Sequence, residues 1–126
     1  MSELQQVAFY ATPFFYKQRI DPQAILTIEE IIEVVCEVVG ITEKALTSQC
    51  RKTHKVRARH YIGYIARKYT ALTLAEIGQR LGRRDHTTVI HGTQTIGHRI
   101  KHEPACYDEF ATICRRLRVR VAEFGL

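Results

Sequence analysis

Residues 74–96 read LAEIGQRLGRRDHTTVIHGTQTI, and this stretch decides the fold. Thr73, immediately before it, stands at capping-box spacing from Glu76, so a helix is expected to begin at Leu74. Leu74, Ile77 and Leu81 then recur at three- and four-residue steps, and Gly82 is the stop signal. Asp85 is placed to cap a second helix over His86–Lys101, whose inward stripe is Val89, Thr93, Ile96 and Ile100. A short helix, the tight turn Gly82–Arg84 and a longer second helix have the proportions of a helix-turn-helix, in which the second helix enters the major groove of a duplex.

The outward face of that second helix is polar from its first turn: His86, Thr87 and Thr88, then His91, Gln94 and Thr95. Short hydroxyl and imidazole groups can hydrogen-bond base edges or touch thymine methyls. Arg83 and Arg84 lie in the turn, where they could reach phosphates as the helix N-terminus points at the duplex. Asp85 has two readings: an N-cap that satisfies orphan backbone donors, and an acceptor for a cytosine amine.

Upstream, Arg51, Lys52, His54, Lys55, Arg57 and Arg59 crowd a segment that reads as a loop over Gln49–Val56 opening into a long helix over Arg57–Thr70. That helix carries a stripe of Ala58, Tyr61, Ile62, Ile65, Ala66 and Tyr69. In isolation the charges fit a solvated surface. Beside a helix-turn-helix they fit a phosphate clamp with one arginine free to enter a narrow minor groove.

Further out, Thr27 and Glu30 repeat the capping-box spacing, and Ile28, Ile31, Ile32, Val35 and Val39 make the apolar face of a helix stopped at Gly40. Thr42 can cap a short helix through Thr47. Pro104 suits the first turn of a last helix, with Phe110, Ile113, Leu117 and Val121 inward and Arg115, Arg116, Arg118 and Arg120 mostly outward. No strand pattern, repeat or low-complexity tract occurs. The expectation is an all-α fold of about six helices over residues 27–126, preceded by an arm, residues 1–26, whose cluster Phe9, Tyr10, Phe14, Phe15 and Tyr16 either packs on the core or grips a protein partner.

The 126 residues, 45% apolar and 25% charged, suit one domain with a single core. The net charge of +6 is unevenly spread: residues 43–101 hold thirteen basic against three acidic residues, whereas residues 1–42 are net acidic. A middle this basic points to a polyanionic partner, with solvated helix faces as the plainer alternative. Cys36, Cys50, Cys106 and Cys114 form no CxxC pair and read as reduced packing thiols rather than metal ligands or a disulfide framework. No apolar run approaches the ~18 residues that cross a bilayer, and the start lacks the order of a secretory signal. A cytoplasmic, nucleoid-associated protein without membrane contact is expected.

Residues 74–96, with the core LAEIGQRLGRRDHTTVIH, closely resemble the C-terminal DNA-binding domain of DnaA, the bacterial replication initiator. The similarity runs back through the basic segment to about Thr27 and forward to about Leu117. It implies a Trp-repressor-like helical domain that binds an A/T-rich box in double-stranded DNA. By the same resemblance Asp85, His86, Thr87 and Thr88 read major-groove edges, Ala75 touches a base, and Arg51 enters the minor groove. His91, Arg57, Arg59 and Thr73 hold the DNA backbone, with Lys52, Lys55, Arg83 and Arg84 as further phosphate contacts. Ala75 stands where the family commonly has proline, as does Ala58, and Thr53, His54 and Lys55 replace a stretch richer in Arg and Ser. With no GxxxxGK[ST] loop, neither nucleotide nor other cofactor is expected.

Two rivals remain at this stage. An enzyme is disfavoured: His98 and His102 can share a helical face, but there is no HExxH, no carboxylate pair and no nucleophile elbow. An interaction protein or antagonist of an initiator, having lost specific DNA binding, would have little use for exposed Arg83, Arg84, His86, Thr87 and Thr88.

Overall fold

The computed structural model describes residues 26–125. Among them the chain forms six α-helices and no strand: α1 Ile28–Val39, α2 Glu43–Thr47, α3 Thr53–Tyr69, α4 Leu74–Arg80, α5 His86–His102 and α6 Pro104–Leu117, followed by a 3-10 turn over Val121–Phe124. The expected all-α class holds. The proposed arm lies outside the described residues except for Leu26, whose N–H donates to the Tyr69 carbonyl at 3.0 Å and which packs against the core.

The helix starts follow the local chemistry. In α1 and α4 both halves of the capping box form: Thr27 Oγ1 accepts from the Glu30 N–H and Glu30 Oε1 from the Thr27 N–H, and Thr73 and Glu76 do the same. Thr42 caps α2 through the Ala45 N–H at 3.0 Å. Gly40 ends α1 in the left-handed region at φ +88°.

Two boundaries differ by more than one residue from the sequence reading. Helix α3 begins at Thr53, not Arg57, although no side chain caps it; the Lys52 carbonyl instead accepts from the Lys55 and Val56 N–H groups. His54 and Lys55 therefore join Arg57 and Arg59 on the helix, and only Arg51 and Lys52 of the basic run remain in the loop. At the other end α6 stops at Leu117, because Arg118 turns left-handed at φ +64°. Val121 consequently belongs to the 3-10 turn, half-buried beside Phe124.

Helix α3 is the axis of the fold, packing on α1, α2, α4 and α5, while α6 closes the far side against α1 and α5. Tyr61, Ile62 and Ile65 of α3 share one buried cluster with Ile31 and Val35 of α1, Ile96 and Ile100 of α5, and Phe110 and Ile113 of α6, all with essentially no exposure. Phe124 completes an aromatic cluster, stacked on Tyr64 at 5.2 Å between centroids and edge-on to Phe110 at 5.0 Å.

Burial raises the Cys36 thiol to about 11 and the Cys114 thiol to about 12, so both stay protonated packing groups. All four cysteines are free thiols. No described helix is long and apolar enough to cross a membrane.

The angle between α4 and α5 is set at the turn. The Arg84 N–H donates to the Gly78 carbonyl at 2.8 Å, folding the chain back onto α4. A Cβ at residue 78 would stand 1.9 Å from the Arg84 carbonyl oxygen, so only glycine permits the approach. Gly82 and Arg83 both take left-handed φ, +93° and +65°, which turns the chain within three residues of the end of α4.

Candidate nucleic-acid interface

The N-terminus of α5 leaves the body of the protein beside the α2–α3 loop, and the two together form one basic, polar face. Asp85 caps α5, accepting from the Thr88 N–H at 2.9 Å. That hydrogen bond, chiefly, holds its carboxyl below the usual range, so it is ionised at neutral pH. The capping reading of Asp85 is thus realised, and its exposed carboxylate is also available to a base edge.

His86, Thr87, Thr88 and His91 are all exposed, whereas Val89, Thr93 and Ile96 on the opposite side of α5 are buried. Among the described residues the side chains of His86, Thr87 and His91 make no hydrogen bond or ion pair. A helix that buries its apolar stripe while holding a row of unpaired polar groups outward at its positive end is built to meet an acceptor-rich surface. Thr73 and Ala75 are exposed on the start of α4; Thr73 Oγ1 accepts its capping bond, which leaves the hydroxyl proton to donate, and the Ala75 methyl is open to solvent.

The arginines separate into two groups. Arg51 and Arg83 are exposed, as is Lys52, and Lys55 is half-exposed with its ammonium beside the Cys50 thiol. Three others face inward. Arg57 donates to both carboxylate oxygens of Glu109 in α6, from Nε at 2.7 Å and Nη2 at 3.2 Å. Glu109 also accepts from the buried Tyr61 hydroxyl at 2.9 Å.

Arg59 is only 6% exposed and donates to the carbonyls of Leu46, Ser48 and Cys50 at 2.7, 2.8 and 2.9 Å. Arg84 donates to the carbonyls of Leu81, Gly82 and Ser48. The sequence expectation that Arg57, Arg59 and Arg84 hold DNA phosphates therefore meets three guanidinium groups whose donors are engaged inside the protein.

A cavity of about 390 Å³ opens between the loop and α5. Its walls include Arg51, Arg59, His60, Arg84, Thr88 and His91. His60 is a residue the sequence reading missed: nothing in its position on α3 distinguishes it from the neighbouring basic run. Its ring lies against Gly92, where a Cβ would come within 2.5 Å, and burial, with the nearby His91 and Arg59 charges, pushes it down to about 4. It is a neutral imidazole at physiological pH.

His98 and His102 do share a face, with ring centroids 4.3 Å apart. Among the described residues no group of three or more His, Cys, Asp or Glu side chains converges as a metal site would require.

Comparison with known proteins agrees with this geometry. The family described as the bacterial DnaA protein helix-turn-helix matches residues 28–96, which span α1 to the middle of α5. The chromosomal replication initiator protein DnaA of Rhodopseudomonas palustris (strain BisA53) is 36% identical over 93 residues, 74% of this chain and 20% of the relative. The DnaA protein of Gloeobacter violaceus is 39% identical over 71 residues, 56% of this chain and 16% of the relative. That of Bacteroides thetaiotaomicron is 35% identical over 71 residues, or 15% of its length. The chain thus spans about a fifth or less of the curated relatives it matches. With its capping boxes, its Gly78 turn and its outward Asp85–Thr88 segment in place, the chain belongs to the bacterial DnaA helix-turn-helix family.

Proposed function

We propose that this protein is a sequence-specific double-stranded-DNA-binding protein that reads an A/T-rich, DnaA-box-like target. The observation that carries the reading is the outward row at the start of α5, His86, Thr87 and His91, unpaired among the described residues beside an Arg51 that is exposed and likewise unpaired among them. Asp85, His86, Thr87 and Thr88 meet base edges in the major groove, with the Ala75 methyl against a thymine. Arg51 enters the adjacent minor groove. Lys52, Lys55, Arg83, His91 and Thr73 hold the phosphate backbone, while Arg57, Arg59 and Arg84 shape the surface from within. The reading requires no catalysis, nucleotide or metal, and it places the protein at the nucleoid, acting on replication initiation or transcription. Residues 1–26 are the segment we assign to a protein partner.

The test is fluorescence anisotropy of a labelled duplex carrying a DnaA-type box against a scrambled duplex of equal composition, across a salt series. A preference of about a hundredfold or more for the box, persisting at moderate salt, is the expected result. Equal, weak binding to both duplexes that disappears with salt would leave only phosphate attraction and overturn the reading.

A further inference from the structure

We propose that Arg84, together with Arg59, is a positioning residue that sets the distance between the two DNA-reading elements, and so decides whether Arg51 can read the minor groove while α5 occupies the major groove. The inference rests on the DNA-binding reading above. Its basis is a single shared acceptor. The Ser48 carbonyl receives Arg59 Nη2 from α3 and Arg84 Nη2 from the helix-turn-helix turn, both at 2.8 Å. Arg59 also grips Leu46 and Cys50, and Arg84 also grips Leu81 and Gly82.

The two planar forks therefore tie residues 46–50, the end of α2 and the loop after it, to α3 on one side and to the α4–α5 turn on the other. Gln49 adds a bond from Nε2 to the Gly82 carbonyl at 3.4 Å, and a Cβ at Gly82 would stand 2.4 Å from the Thr47 carbonyl oxygen, so loop and turn are in direct contact. Arg51 follows Cys50, the last residue held. Its backbone position relative to α5 is fixed by these bonds, while its own side chain stays free.

Stability alone is a poor account of this arrangement. Two guanidinium groups sit within reach of one carbonyl, and among the described residues neither has an ion pair with a carboxylate. Burial pulls both below the usual arginine range; Arg59 is lowered further by Arg84, and Arg84 by Arg51. Like charges placed together in a partly buried site oppose folding. What the pair supplies is geometry: a fork of donors can bridge two carbonyls at fixed angles, which a lysine ammonium cannot reproduce. A reader of two grooves needs such a fixed span, because a displacement of the order of 1 Å forfeits well-aligned contacts.

The experiment uses the full chain and the labelled box duplex, with A·T pairs replaced one at a time by inosine·C or by G·C. Inosine·C keeps the minor-groove pattern of A·T, whereas G·C adds the N2 amine, so the affinity ratio between the two isolates minor-groove reading. For the wild type the ratio is expected to reach about tenfold at the Arg51 step, and Arg51→Ala is expected to abolish it. Arg84→Lys keeps the charge and hence the salt dependence. It should cut the ratio to under about twofold, leave base discrimination by α5 in place, and add nothing to Arg51→Ala in the double variant.

A full ratio in Arg84→Lys would overturn the proposal, as would a proportionate loss of reading in both grooves. Arg84→Gln, which removes the buried charge and leaves one amide donor, carries the same comparison should the lysine variant fail to fold by circular dichroism. A wild type that prefers the box yet shows no ratio would likewise overturn the proposal, since Arg51 would then not read the minor groove; equal, weak binding to box and scrambled duplexes would mean that the DNA-binding reading itself has failed.

Discussion

His86 and Thr87 contribute nothing to the core, so their truncation separates binding from folding. His86→Ala or Thr87→Ala should leave the melting temperature unchanged, cost about 1–3 kcal/mol of binding to the box, and relax base preference at one position. Competition binding against single-base variants checks this; equal losses on specific and random duplexes would remove the base-reading role. Asp85 allows its two tasks to be split. Asp85→Asn retains a good cap, so stability should hold while the preference for cytosine opposite it falls; Asp85→Ala should lose both. His60 supplies a pH dependence of stability. Its folded-state value near 4 lies below the ordinary 6.5, so the folded protein binds fewer protons there than the unfolded chain. Its contribution is complete above about pH 6.5 and is lost as the pH falls toward 4, by about 1–2 kcal/mol once solvent screening of a partly exposed ring is allowed for. Chemical denaturation at pH 7 and pH 4.5 should show this loss, and His60→Gln should reduce it.

At the level of elements, the α4–α5 unit depends on close backbone approach more than on side-chain affinity. Gly78→Ala drives a methyl into the Arg84 carbonyl, and because that neighbour is backbone the helices must part. A loss of about 3 kcal/mol or more is expected, with weakened binding at temperatures where the protein is still folded. The α3 start carries a comparable lesson. A run of Lys and Arg without a capping side chain looks like loop, yet α3 extends back to Thr53 because Ala58, Tyr61 and Ile62 bury the next turns and the Lys52 carbonyl seeds the first bonds. Tertiary packing overrides weak local signals, as it generally does at helix ends.

For the whole molecule, the 3-10 turn beyond α6 covers the core through Phe124. Phe124→Ala removes a ring that touches Tyr64, Tyr69 and Phe110 and should cost about 2–3 kcal/mol of stability without changing base preference, measured by thermal melts alongside duplex binding. The same distinction between local and distant information runs through the fold and the site. Capping boxes at Thr27 and Thr73, the Asp85 cap, the Gly40 stop and the buried stripes of α1, α3 and α5 were determined by the sequence by itself, since each signal and its partner lie within one or two turns of the same segment. So was the outward row His86, Thr87, His91, because a helix with one apolar stripe has only one face left for polar groups. The fate of the arginines was decided only by the tertiary structure. Arg51, Arg57 and Arg59 of the basic run and Arg84 of the turn are alike as sequence, and what separates them is a carboxylate 52 residues away for Arg57 and a single carbonyl, that of Ser48, shared by Arg59 and Arg84. Charge is a property of the residue, but whether it faces solvent or a backbone oxygen depends on which distant segment the packing brings beside it.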